Sequence, residues 1–116
     1  MKKLLVIAIF SFFISCTKDT SPVQGSPKQQ SCLQTKINSF SSGNYACPTS
    51  ATVKEYLFQN STVYVFNPGN CGADMTSEVI NSDCQTLGYL GGFAGNILIN
   101  SEDFSNATFV RTVWTN

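Results

Sequence analysis

The chain contains no histidine. Without an imidazole there is no Ser-His or Cys-His nucleophile pair, no histidine general base and no zinc site of the kinds that need a ring nitrogen. Charge is also scarce, at 12% of 116 residues, about half the share usual in globular chains. Ser, Thr, Asn and Gln must therefore cover most of the surface. Seven basic residues balance seven acidic ones, which leaves no electrostatic footprint for nucleic acid. No apolar run reaches the roughly 20 residues needed to cross the hydrocarbon core of a bilayer. A chain of this length has room for one small domain.

What is present begins with an address. Met1-Lys2-Lys3 is a short positive segment, Leu4 to Ile14 carries no charge, and Ser15-Cys16 closes the run. This is the pattern of a signal peptide over 1–15. The residues before Cys16, Phe13-Ile14-Ser15, resemble the lipobox of bacterial lipoproteins, which implies lipidation of the Cys16 thiol and cleavage in front of it. Phe13 departs from the Leu commoner at that place. Setting Cys16 aside leaves four cysteines, an even number able to pair. Residues 16–30 then read as the lipidated Cys and a flexible tether, because Thr17 to Gln30 is rich in Pro, Ser, Lys and Gln and holds Val23 as its one aliphatic residue. Thr17 after Cys16 points toward an outer membrane. The expected location is the cell envelope, with a lipid anchor in the membrane.

Residues 31–116 read as one small α+β domain with three cations against six anions, a net charge of −3. A core this small gains from covalent staples, and Cys32, Cys47, Cys71 and Cys84 supply two disulfides in an oxidising compartment. Three pairings are open; the short local loops favour Cys32 with Cys47 and Cys71 with Cys84. Ser31 is placed to cap a helix bearing Cys32, Leu33, Lys36, Ile37 and Phe40 on one face, with Gly43-Asn44 as its stop. Thr52–Phe58 and Thr62–Phe66 read as strands of a hairpin around Gln59-Asn60-Ser61. Ser77–Ile80 and Cys84–Leu87 form a second hairpin around Asn81-Ser82-Asp83. Gly88, Gly91, Gly92 and Gly95 mark a turning segment, a helical turn is expected from Asn100 or Ser101 through Phe104, and Thr108–Trp114 is a last strand. Together these predict a short N-terminal helix packed on a small antiparallel sheet of about five strands.

The order of these features resembles an uncharacterised family of small Bacteroidota-type lipoproteins with a domain-of-unknown-function label. The residues that carry the likeness are Ser31-Cys32-Leu33 with Lys36-Ile37, Val53-Lys54-Glu55-Tyr56 leading to Thr62-Val63-Tyr64, Cys71, the Asn81-Ser82-Asp83 turn, and Gly91-Gly92-Phe93-Ala94-Gly95. The resemblance covers about 31–116 and implies a fold and an address but no activity. Two departures stand out. Asn96-Ile97-Leu98-Ile99 replaces a Gly-Asp-Gly with a further Cys, and Gly88 stands near a frequent Cys position, which implies one disulfide fewer.

Candidate sites are few. Asp74, Glu78 and Asp83 offer hard oxygen ligands, but at no known calcium-loop spacing. As carboxylate pairs for glycoside hydrolysis, Asp74 with Glu78 or Glu102 with Asp103 would need a cleft that a domain of this size has little room to build. Gly91-Gly92-Phe93-Ala94-Gly95 lacks the following helix and Lys of a phosphate loop, and reads instead as tight turns that bring Tyr89 and Phe93 onto the sheet. Asn60-Ser61-Thr62 and Asn106-Ala107-Thr108 match a glycosylation triplet that has little force in bacteria. Tyr45 and Tyr56, and above all Tyr64, Tyr89, Phe93 and Trp114, are the candidates for a binding face, because aromatic side chains anchor interfaces at low entropy cost. The expected function is a non-enzymatic envelope module, with no cofactor, that meets a protein or glycan partner. The competing expectation is a small secreted-type inhibitor or metal-dependent enzyme using the Asp74–Asp83 region.

Overall fold

Ser26 sets the start of the fold. In the computed structural model, which describes residues 26–116, its hydroxyl accepts from the Gln29 N–H at 3.3 Å while the Gln29 side chain accepts from the Ser26 N–H at 3.0 Å. This reciprocal capping box, with Pro27 behind it, opens helix α1, Pro27–Ser42. The helix thus begins four residues before the expected cap at Ser31, whose hydroxyl instead donates to the Lys28 carbonyl. Residues 27–30, assigned to the tether by composition, form the first turn. Pro, Lys, Gln and Ser suit a helix start as well as a linker, so composition alone does not separate the two. The signal segment, Cys16 and the earlier tether lie outside the described residues. Gly43 ends α1 by donating its N–H to the Ser39 carbonyl.

Five strands follow in one antiparallel sheet: β1 Thr52–Phe58, β2 Ser61–Asn67, β3 Thr76–Asn81, β4 Thr86–Gly91 and β7 Thr108–Thr115, in the order β4-β3-β2-β1-β7. Between β4 and β7 lie a two-stranded hairpin, β5 Leu98–Ile99 with β6 Glu102–Asp103, and a 3-10 turn at Phe104–Asn106. The fold is α+β, as the sequence predicts. The first hairpin closes on two residues rather than three, since Gln59 and Asn60 both take positive φ (50° and 60°), the conformation that matches strand twist in a two-residue loop. The helical turn expected to start at Asn100 or Ser101 is corrected in the same way. Both residues have positive φ (48° and 65°) and turn β5 into β6, and only the 3-10 turn that Asp103 caps is helical.

Alternation along the strands gives the sheet two buried faces. On one, Ile37 of α1 packs with Val53, Phe66 and Ile80, flanked by Leu33, Phe40, Val113 and Trp114. The Phe40 ring meets Phe66 and Trp114 edge-on at centroid distances of 5.3 and 5.8 Å, a favoured aromatic geometry. On the other, Phe58, Val63, Val65 and Val79 pack with Ile99, flanked by Tyr56, Leu87, Leu90, Phe104 and Ala107. Ile99 fits because β4 has no side chain at Gly88: a Cβ there would stand 3.0 Å from Ile99 Cδ1.

The favoured local disulfides are not formed. Cys32 joins Cys84 (Cα–Cα 6.2 Å) and Cys47 joins Cys71 (5.7 Å). Packing overrides sequence proximity. The first turn of α1 lies on the β3–β4 turn, where Gln29 also reaches Ser82 and Asp83, and the Cys47 N–H donates to the Pro68 carbonyl at 2.8 Å. Two structural disulfides mark an extracytoplasmic protein.

Ser26→Ala should destabilise the fold by about 1 kcal/mol, the usual cost of a lost N-cap, measured by urea unfolding; no change would mean the capping box is idle. Peptide mapping without reduction should recover Cys32 linked to Cys84 and Cys47 linked to Cys71. Removing the first bridge, which spans 52 residues against 24, should cost about 0.7 kcal/mol more than removing the second under the chain-entropy relation.

Candidate functional site

The four aromatic candidates divide between two environments. Tyr64 and Trp114 lie on the face that α1 covers and are packed against its cluster. Tyr89 of β4 and Phe93 of the turn that follows it are 53% and 93% exposed. Tyr56 is packed beneath the 3-10 turn, with its ring 5.3 Å from Phe104 and 5.6 Å from Phe109. Tyr45 is half-exposed, and its hydroxyl lies 2.9 Å from the Thr76 carbonyl, beside the Gly91 end of β4.

Phe93 is held out by a short turn whose geometry needs glycine. Gly91, Gly92 and Gly95 all have positive φ (82°, 75° and 61°), where a Cβ would be strained. The turn closes through a two-way main-chain bridge between Gly91 and Asn96, at 2.8 and 3.0 Å. The Asn96 side chain then donates to the carbonyls of Tyr89 (2.6 Å) and Leu98 (3.0 Å). One asparagine thus fixes a loop along which Phe93, Ile97 and Leu98 are exposed, the last two at 57% and 50%. The sequence names Tyr89 and Phe93 for a binding face yet expects the glycine turns to bring them onto the sheet; both are exposed instead, and Ile97 and Leu98, which resemble ordinary core residues, are not among its candidates. The signal for Leu98 was its alternation with the buried Ile99.

The carboxylates proposed as ligands are spread along β3. Asp74 precedes the strand, Glu78 faces α1, and Asp83 lies in the turn beyond it. Glu78 Oε1 accepts from Lys36 Nζ at 2.8 Å and from the Thr86 hydroxyl at 2.6 Å. Glu102 accepts from Gln59 and Asn106, while Asp103 accepts from the Ser105 N–H. That N–H, with the Ser105 hydroxyl, holds the Asp103 carboxyl below the usual carboxylate range. Among the described residues no group of three or more Cys, Asp or Glu converges as a cation site would require. An open recess of about 380 Å³ lies at the start of α1 between Ser26, Lys28, Gln29, Cys32, Asp83 and Gln85.

A polar trio occupies the helix-side face of β1, β2 and β7. Glu55 Oε2 accepts from Arg111 Nε at 2.6 Å, and Glu55 is the register partner of both Arg111 and Tyr64. Burial raises the pKa of the Tyr64 phenol above its ordinary value, the Glu55 charge adds to the effect, and Arg111 opposes it. A folded-state pKa above the unfolded one gives stability that is full below about pH 10 and is lost as pH rises through the folded value. Tyr64 should therefore show, in an ultraviolet titration, an ionisation step above the ordinary tyrosine value. Tyr64→Phe should remove that step and lessen the alkaline loss of stability; an unchanged titration curve would overturn the assignment.

No curated protein and no solved structure matches the chain. A family model does, over residues 40–116, which takes in every strand and the whole exposed turn and omits most of α1. By that match the chain belongs to the family described as Domain of unknown function (DUF6970).

Proposed function

We propose that this is a lipid-anchored envelope protein whose domain is a non-enzymatic binding module, and that the Phe93 turn is its contact surface. The observation that carries this reading is Phe93 itself, a large aromatic side chain left 93% exposed on a turn braced by three positive-φ glycines and Asn96. A rigid loop that presents an aromatic residue loses little entropy when it binds. Ile97 and Leu98, exposed just beyond the same turn, add apolar surface along the chain that follows it, and exposed apolar surface is a usual mark of an interaction site.

The direction of the chain supports display away from the membrane. The N-terminal part of α1 is bonded to the Asn81–Gln85 end of the β3–β4 hairpin through Cys32–Cys84. The Phe93 turn leaves the other end, past Gly91, six residues or about 20 Å away at strand rise. A lipid on Cys16 would pull on the first end and leave the second facing outward. The chain from Gly91 to Ser101 carries no charged residue, which suits a protein or glycan partner better than a polyanion.

Two substitutions test the two halves separately. Cys16→Ser should move the protein from the membrane fraction to the soluble fraction, and unchanged membrane association would overturn the anchor. Replacing Phe93 with the photo-crosslinker benzoylphenylalanine should give a discrete adduct in cells after irradiation, while the same replacement at Ser41 on exposed α1 should not. The absence of any Phe93-specific adduct would overturn the contact surface.

A further inference from the structure

Three sulfur atoms meet where the loop before β1 touches the loop after β2. Cys47 is bonded to Cys71, and the Met75 thioether Sδ lies 3.7 Å from Cys47 Sγ. The chain is shaped to put it there. Asp74 takes positive φ (56°), and the turn brings Met75 back beside Gly72, where a Cβ would stand 3.7 Å from Sδ. On the other side Cys47 is fixed by its own backbone. Its N–H donates to the Pro68 carbonyl at 2.8 Å and its carbonyl accepts from the Asn116 side chain at 2.6 Å. Gly69 approaches so closely that a Cβ there would be 3.2 Å from Cys47 Cβ. Cys47 is buried, whereas Cys71 and Gly72 are exposed. The sulfur cluster therefore has a rigid floor at Cys47 and a side open to solvent at Cys71.

We propose that Cys47, Cys71 and Met75 form a site for Cu(I), closed while the two cysteines are joined and opened when a dithiol reduces them. Thiolate and thioether sulfurs are soft donors that select Cu(I), whereas hard cations take oxygen. Metal–thiolate bonds of about 2.3 Å in a trigonal arrangement put the sulfurs about 4.0 Å apart. Cys47 and Met75 already stand near that spacing, at 3.7 Å. The Cα atoms of Cys47 and Cys71 are 5.7 Å apart, so the freed thiolates reach it by side-chain rotation. The steps balance. A dithiol of the Cys-x-x-Cys class attacks at the exposed Cys71, gives two electrons and two protons to the Cys47–Cys71 bond, and leaves as a disulfide itself. Cu(I) then takes both cysteines as thiolates, releasing the two protons to solvent, and accepts a lone pair from Met75 Sδ without changing its oxidation state. Reoxidation of the cysteines would expel the ion, which couples metal retention to the redox state outside the cytoplasm.

The test uses the full chain carrying Cys16→Ser, so that the Cys16 thiol does not compete. After anaerobic reduction, Cu(I) offered as its complex with the chelator bathocuproine disulfonate should pass to the protein at one ion per chain, while the unreduced chain takes none. Bound Cu(I) should shield Cys47 and Cys71 from iodoacetamide and leave Cys32 and Cys84 to be alkylated, as read by peptide mapping. Copper X-ray absorption should show three sulfur neighbours. Met75→Leu, which nearly conserves volume, should reduce these to two and weaken retention against the chelator at least tenfold, while Cys47–Cys71 still forms on reoxidation. Equal uptake by the unreduced chain, no uptake by the reduced chain, shielding of Cys32 and Cys84 instead, or a Met75→Leu variant with unchanged affinity and coordination would each overturn the proposal.

Discussion

A five-stranded antiparallel sheet has two faces to cover, and this domain has a single α-helix with which to cover them. Helix α1 can close only one. The other is closed by the irregular segment between β4 and β7, which delivers Ile99 and Phe104 onto Phe58, Val63, Val65 and Val79. Much else depends on this second covering. The chain must leave β4, cross the sheet and return to β7, so it needs tight reversals. It makes them at Gly91–Asn96 and at Asn100-Ser101, both through positive-φ residues. The exposed Phe93 sits on the first of these reversals. A surface turn with an aromatic tip is thus a by-product of covering the sheet without a second helix.

The disulfides serve the same requirement. One secures the start of α1 to the β3–β4 turn, and the other fastens the loop before β1 to the loop after β2. Each joins a covering segment to the sheet or to its border rather than two points within one hairpin. The large apolar contacts, Phe40 on Phe66 and Trp114, hold the far end of α1, so the helix is fixed at both ends by different means. Asn116 adds a third tie, its side chain donating to the Cys47 carbonyl at 2.6 Å and accepting from the Ala51 N–H at 3.0 Å.

The strands were legible because their periodicity is local. Thr52–Phe58 has the predicted bounds, and the other long strands shift by one or two residues, except β4, which begins at Thr86 rather than Cys84 and runs to Gly91. A glycine-rich stretch with Tyr89 and Leu90 inside it satisfies turn chemistry and strand chemistry alike, and tertiary pairing with Thr76–Ile80 decides the matter. The helix start was hidden because Ser26-Pro27 is equally good linker and cap. The disulfide pairing could not be read at all, since it depends on where α1 lies along the sheet, and no local pattern encodes that. The exposure of Phe93, Ile97 and Leu98 was not legible: the glycines mark a turn but not which way its tip points, and an apolar residue is exposed here only through the route the chain takes over the second face.

The scarcity of charge has a structural counterpart. Where many small domains place ion pairs, this one has two among the described residues, Lys36–Glu78 and Arg111–Glu55, both partly exposed and of the kind that contributes little. Amide side chains do the corresponding work at the loops. Asn67 accepts from the Gly69 N–H, Asn81 from the N–H groups of Asp83 and Gln85, and Asn96 braces the Phe93 turn. Amides neither titrate near neutral pH nor lose strength to salt screening as exposed ion pairs do. A loop held this way keeps its shape when the ionic conditions outside a cell change, whereas one held by exposed carboxylates and amines would loosen. The same composition that removes histidine-based catalysis therefore favours a surface turn of constant geometry, which is what a contact site on an extracytoplasmic protein requires.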